Sequence, residues 1–358
     1  MVGLDRAAVW VQLEVDAELA ILGIRKKFPH IKAKKLTGNT QTFKINKDNI
    51  NEIRVKEKAG KTLIKIDFSY SKYKREDNLY PLEDEKIKIL VEEELVNIVK
   101  EIALVKVNRN NFKYEYLEIC SQEDIKSFSQ FHNIISAFYR GLKRNVHYQD
   151  GIRFENYNSN LDFYYNTGFI YQVNRGWKIR LYNKILEHNK KATEKKVGNS
   201  IRLEHRLTTT VLTYFCKSAK ISEITIKTLK EKILTDIGLK LFKYLESEIQ
   251  RDIDILEKKF KDYTSRSLSS LIRDSQEHIL DMEVVNYIVT SLGKTSERQI
   301  KRYRQKVKEI LKEYQENNGI KRCNFGNVER LEFFIKKILC CNIKVKINNR
   351  ERLHFISY

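Results

Sequence analysis

A chain of 358 residues, 41% hydrophobic and 32% charged, is long enough for two domains and apolar enough to bury a core. Lys and Arg number 68 against 47 Asp and Glu, and the resulting net charge of +21 points to a polyanionic partner, nucleic acid above all. The five scattered cysteines form no C-x-x-C and have no His at ligand spacing, which excludes a zinc motif and fits a reducing, cytoplasmic setting, while no apolar run reaches the ~18 residues of a membrane span and the N-terminus lacks a signal-peptide pattern.

The first ~70 residues read as strands. "AAVWVQLEV" (7–15) alternates, and "EIRVKEKAGKTLIKIDFSY" (52–70) predicts a hairpin turning at Gly60. Residues 85–102 fit either a strand leading into a helix or one helix. "ALVKVNRNNFKYEYLEI" (103–119) returns to strand, with a turn at Asn108–Asn111. Ser121 is then read as the N-cap of a helix, with Asp124 in its first turn and Ile125, Phe128, Phe131, Ile135, Phe138 and Leu142 on one face.

Residues 146–184 are dense in turn signals, and "IRFENY", "LDFYY", "FIYQV" and "WKIRLY" between them predict an antiparallel meander. After residue 207 the pattern turns helical, with Leu229, Ile233, Ile237, Leu241 and Leu245 four apart, and shorter helical pieces near 250–262 and 281–292. A basic helix opens at Ser296, where Ser296 and Gln299 make a capping box. With "SLGKTS" before it, this helix resembles the second helix of a helix-turn-helix, and Arg298, Lys301, Arg302, Arg304 and Lys308 would meet DNA. "NIKVKINNRERLHFISY" closes the chain as a hairpin with "NN" at the turn. The expected class is α+β: an antiparallel-sheet domain with packed helices over 1–218, then a mainly helical DNA-binding part over 219–358.

Two strands carry chemistry. Alternation puts Lys178, Arg180, Tyr182 and Lys184 on one face of residues 177–184, and Arg202, Glu204 and Arg206 on one face of residues 201–207. If the apolar faces share a core, Tyr182 and Glu204 emerge on one basic surface. A phenol near pKa ~10 is a weak nucleophile, and neighbouring cations favour its phenolate and hold an attacked phosphate. A carboxylate can bind a divalent metal that polarises a phosphodiester. Glu155 and Asp162 each face away from their apolar neighbours and are further metal-ligand candidates. Tyr165 and Tyr171 remain alternative nucleophiles.

"RLYNKILE" (180–187) and "IRLEHRL" (201–207), with "FIYQV" shortly before them, resemble rolling-circle replication initiators of small plasmids and filamentous phages. The likeness spans roughly residues 100–215. It implies a nick in one strand at an origin, a 5′-phosphotyrosine and a 3′-hydroxyl primer. Carried over, Tyr182 is the nucleophile, Glu204 a ligand of Mg²⁺ or Mn²⁺, Lys184 a phosphate contact and Glu187 a support for the site or its metal. Lys178, Arg180, Arg202 and Arg206 would line the DNA path. Asn183 stands where many relatives have Asp, and the paired H-x-H of larger endonucleases is absent. The implied partners are double- and single-stranded origin DNA, a host helicase and a single-strand-binding protein; a homodimer is compatible. A non-catalytic DNA binder and a mobilisation relaxase are the alternative readings.

Overall fold

The computed structural model describes residues 1–145 (except 32, 38, 48 and 76), 153–154, 168–261 (except 192), 270, 296–298, 301–302, 305–306, 309 and 328–357 (except 349 and 350). In chain order the first elements are β1 (Val2–Leu13), α1 (Ala17–Lys27), β2 (Ala33–Thr37), β3 (Thr40–Lys47), β4 (Ile50–Lys58), β5 (Lys61–Ser69), α2 (Glu85–Ala103) and β6 (Lys113–Ile125). There follow α3 (His132–Asn145), β7 (Arg153–Phe154), β8 (Gly168–Asn174), β9 (Trp177–Asn183), α4 (Lys184–Lys191), β10 (Asn199–Thr208) and α5 (Thr209–Cys216). The last are α6 (Ile226–Thr228), α7 (Thr235–Lys261), α8 (Val328–Phe333), β11 (Ile343–Asn348) and β12 (Glu351–Ser357). The class is α+β, as the alternation and helical periods predict.

The chain divides into two compact units drawn from interleaved stretches: Met1–Gln122, Ile170–Leu181 and Arg202–Leu234 form the first, and Glu123–Phe169, Tyr182–Ile201 and Thr235–Tyr358 the second. In the first unit a sheet runs in the order β2-β3-β4-β5-β1-β6-β10-β9-β8. From β2 through β6 the registers are antiparallel. The predicted hairpin is β4–β5: Lys58 pairs with Lys61, and Ala59 and Gly60 both have positive φ, the geometry of a tight two-residue turn. Val9, Val11, Ile53, Val55, Ile64 and Ile66 are buried in its core.

Residues 85–103 form the single helix α2, capped where the Asp84 carboxylate accepts from the Lys86 amide at 2.7 Å. Its buried Val91, Leu95, Val99 and Ile102 recur at helical spacing. Helix α1 was not expected from the sequence, because only Ala20 and Ile24 of its eleven residues are buried and the apolar stripe is faint. It meets α2 closely: a Cβ on Gly23 would sit 2.0 Å from the Ile102 carbonyl oxygen.

The helix expected from Ser121 does not start there. β6 continues to Ile125, Ser121 pairs with Val2 and is fully buried, and the Met1 ammonium donates to the Gln122 carbonyl at 2.9 Å. Pairing with β1 outweighs the local capping signal, and α3 begins only at His132, after a 3₁₀ turn at Phe128–Phe131.

In the second unit α3 packs on α7. Arg140 donates from Nε to Glu248 at 2.7 Å and from Nη2 to Asp252 at 2.6 Å, tying the two helices. Helix α7 runs unbroken to Lys261, where the sequence suggested a separate piece near 250–262. The terminal hairpin β11–β12 is antiparallel as predicted. The "LDFYY" strand, the helical piece near 281–292 and the turn before Ser296 lie outside the described residues, as do Glu155, Asp162, Tyr165, Arg304 and Lys308. Among the described residues no helix is long and apolar enough to cross a membrane.

Candidate functional site

An irregularity in β1 builds the site. Leu4 pairs with Ile119 and Ala7 with Leu117, so Asp5 and Arg6 together oppose Glu118. Two residues facing one is a β-bulge, a device that re-aims side chains. Here it brings Asp5 beside Glu118, and β10, the next strand in the sheet, supplies Glu204. One carboxylate oxygen from each of Asp5, Glu118 and Glu204 lies within 4.8 Å of the others. Asp5 and Glu204 are buried, and Glu118 nearly so.

Each acid is held. Ser71 Oγ donates to Asp5 Oδ1 at 2.5 Å. Arg202, with no exposed surface, donates from Nη1 to Asp5 Oδ2 at 3.1 Å and sits 3.6 Å from Glu204 Oε1. Its Nε binds Gln122 Oε1 at 2.6 Å and its Nη2 binds the Leu79 carbonyl at 2.5 Å. Arg180 Nη1 approaches Glu204 Oε2 at 3.8 Å, and Arg206 Nη1 approaches Glu118 Oε1 at 3.7 Å. Arg206 also lies over the Tyr116 ring, 3.6 Å from its centroid, in a cation–π contact. The Tyr116 hydroxyl donates to Asp67 at 2.6 Å, and Asp67 also binds Arg6.

The charge is uneven even so. Burial, then Glu204 and Asp5, pushes the Glu118 carboxyl up to about 8, against the pull of Arg206 and Arg6. Burial and the two neighbouring acids outweigh the arginines at Glu118, which keeps its proton at neutral pH. Hard oxygen donors of this kind suit Mg²⁺ or Mn²⁺, with water or phosphate oxygens completing the shell. The triad fits such an ion on donor chemistry, and a cation there would offset the burial and the acidic neighbours that together raise Glu118.

The site residues read from the sequence are distributed as follows. Glu204 joins the triad; Asp5 and Glu118 do so unforeseen. Arg180 and Arg206 edge the triad, whereas Arg202 is wholly enclosed with its guanidinium committed to protein acceptors, so it is a support and not a DNA contact. Lys178 is half-buried on β9. Tyr182 and Lys184 belong to the second unit, and both are buried rather than emerging on an open face. There Lys184 Nζ lies 5.9 Å from the Tyr182 ring centroid and pairs with Glu187 at 2.9 Å, so Glu187 serves the lysine. Asn183 holds this segment together: its Oδ1 accepts from the Leu186 and Ser200 amides, both at 3.3 Å. Tyr171 is fully buried on β8. Arg298, Lys301 and Arg302 are helical and exposed. On the opposite side of β10's alternation His205 is buried, accepts from Trp177 Nε1 at 3.4 Å, and is pushed by burial down to about 3, which keeps it neutral.

No protein-family model and no curated protein matches the chain. Among solved structures it is similar to the di-domain ARO/CYC BexL from the BE-7585A biosynthetic pathway, at 8% identity and a TM-score of 0.19, covering 61% of this chain and 90% of that one. It is similar also to the di-domain ARO/CYC StfQ from the steffimycin biosynthetic pathway, at 9% identity and a TM-score of 0.21, covering 67% and 97%. Likeness at this level fixes neither fold nor activity.

Proposed function

We propose that the chain is a metal-dependent DNA strand nickase and transferase that starts replication of a plasmid or phage. The observation that carries this reading is the buried triad Asp5, Glu118 and Glu204, edged by Arg180 and Arg206, in a chain of net charge +21. A carboxylate cluster able to take a hard cation beside cations able to take a phosphate is the equipment of phosphodiester chemistry.

In this reading Asp5, Glu118 and Glu204 would hold a divalent ion, which would polarise the scissile phosphate and offset its charge. The nucleophile is assigned by the sequence motif alone: the Tyr182 phenol gives its proton to solvent as Oη bonds phosphorus, the phosphorus–O3′ bond breaks, and the 3′-oxygen takes a proton from solvent and leaves as the hydroxyl. The Lys184 ammonium lies 5.9 Å from the Tyr182 ring centroid and is the phosphate contact of this reading. Arg180 and Arg206 hold non-bridging phosphate oxygens. The exposed Arg298, Lys301 and Arg302 contact duplex DNA at the origin, with a host helicase and single-strand-binding protein acting after the nick.

The burial of Tyr182 favours one second reading, a DNA-binding protein that leaves the strand intact. Incubation with supercoiled origin plasmid and Mg²⁺ or Mn²⁺ separates the two. Relaxed DNA that disappears with Tyr182→Phe and with Glu204→Gln supports cleavage; retained binding with no relaxation by the wild type supports the second reading.

A further inference from the structure

The first unit also contains a cavity of about 700 Å³ that the triad does not use. It is built where the end of α1, the β3–β4 turn, the loop after β5 and one face of α2 come together. Its size is that of an ordinary small-ligand site. The walls are mixed in a specific way. Phe28 and Tyr73 supply aromatic surface, and Asn49 and Asn97 supply amides. Asn49 is almost wholly buried, and its backbone carbonyl accepts from the Ser69 amide at 2.8 Å.

The rim is cationic. Lys47, Lys72, Lys74 and Arg75 line the cavity and form no ion pair with a described residue. The two acids of the wall are already engaged: Glu101 pairs with Lys27, and Glu94 accepts from the Tyr73 hydroxyl at 2.5 Å. That bond also holds the Tyr73 phenol up at about 12, so it stays a neutral ring. Lys74 Nζ lies 5.3 Å from the same ring.

We infer that this cavity binds a nucleoside phosphate, either an unpaired nucleotide of a DNA strand or a free nucleotide. The base stacks on the aromatic wall and meets the amides of Asn49 and Asn97, while Lys47, Lys72, Lys74 and Arg75 take the phosphates. The inference does not rest on the cleavage reading, and binding is expected to persist in Tyr182→Phe.

The test is fluorescence anisotropy of a labelled oligothymidylate with the full chain, at several salt concentrations. Asn97→Ala and Phe28→Ala remove wall groups without changing charge, and Asn97 is exposed, so its variant carries the test should Phe28→Ala fail to fold. These neutral variants are expected to weaken binding at least about five-fold, within the range of one lost base contact, with the salt slope kept. The combined Lys72→Ala, Lys74→Ala and Arg75→Ala variant is expected to weaken binding and flatten the salt slope. Displacement of the probe by millimolar free thymidine monophosphate supports the site with a free nucleotide as an occupant. Displacement only by unlabelled oligomer supports it with a strand. Unchanged affinity in Asn97→Ala and in any folded Phe28→Ala overturns the inference, whatever the lysine variant does.

Discussion

Glu118 offers the sharpest quantitative test of the triad. In the metal-free protein its carboxyl is raised from 4.5 to about 8, mainly by burial and then by Glu204 and Asp5. A raised acid binds its proton more tightly folded than unfolded, so its contribution to stability is complete below about pH 4.5 and is lost as pH rises through about 8. Each displaced pH unit is worth about 1.4 kcal/mol. Glu118→Gln removes the titrating group while keeping its shape. Between pH 6 and 8 the wild type should therefore lose roughly 2 kcal/mol relative to the variant, and the gap should level off above that range. The assay is urea unfolding with chelator present, followed by tryptophan fluorescence. Both tryptophans, Trp10 and Trp177, lie in the first unit, so the signal reports the right part of the chain. A difference between the two proteins that stays flat from pH 6 to 8 refutes the claim that the three acids share one field.

The other expectations follow from the same contacts. Mn²⁺ added to the wild type should displace the Glu118 proton and raise the unfolding midpoint near neutral pH, and Glu204→Gln should weaken Mn²⁺ binding at least ten-fold in calorimetry. Arg202→Met should destabilise the first unit by about 3–5 kcal/mol, because Asp5 and Glu204 lose their enclosed counter-charge; urea titration reads this, and a loss under 1 kcal/mol would show the pairing to be unimportant. Gly141→Ala should destabilise the second unit, since the added Cβ would lie 2.2 Å from the Tyr244 backbone oxygen where α3 meets α7; thermal unfolding by circular dichroism checks it.

Much of the fold was legible because it followed short-range patterns. The β4–β5 and β11–β12 hairpins announced themselves by alternation and turn residues. Two elements failed for opposite physical reasons. Helix α1 buries too few residues to show a stripe, and Ser121 looks like a cap locally but is captured by pairing with Val2 at the other end of the unit's first stretch of chain. The site was half legible. Glu204 stood out as an acid inside a strand between arginines. Asp5 and Glu118 carried the same signal, a lone acid in an apolar strand run, but only the bulge in β1 aims them at one point, and a bulge has no mark in the sequence here. Alternation also suggested that Tyr182 and Lys184 would face outward; α4 begins at Lys184, and both residues are enclosed.

Cleavage through a tyrosine leaves a covalent protein–DNA bond, and trapping that bond is the decisive measurement. The chain is incubated with single-stranded origin DNA and Mn²⁺, digested with protease and nuclease, and the peptides are weighed by mass spectrometry. A nucleotide adduct is expected on the peptide carrying Tyr182, absent when Glu204→Gln replaces the wild type. No adduct on any tyrosine, from protein that binds the same DNA, would contradict it.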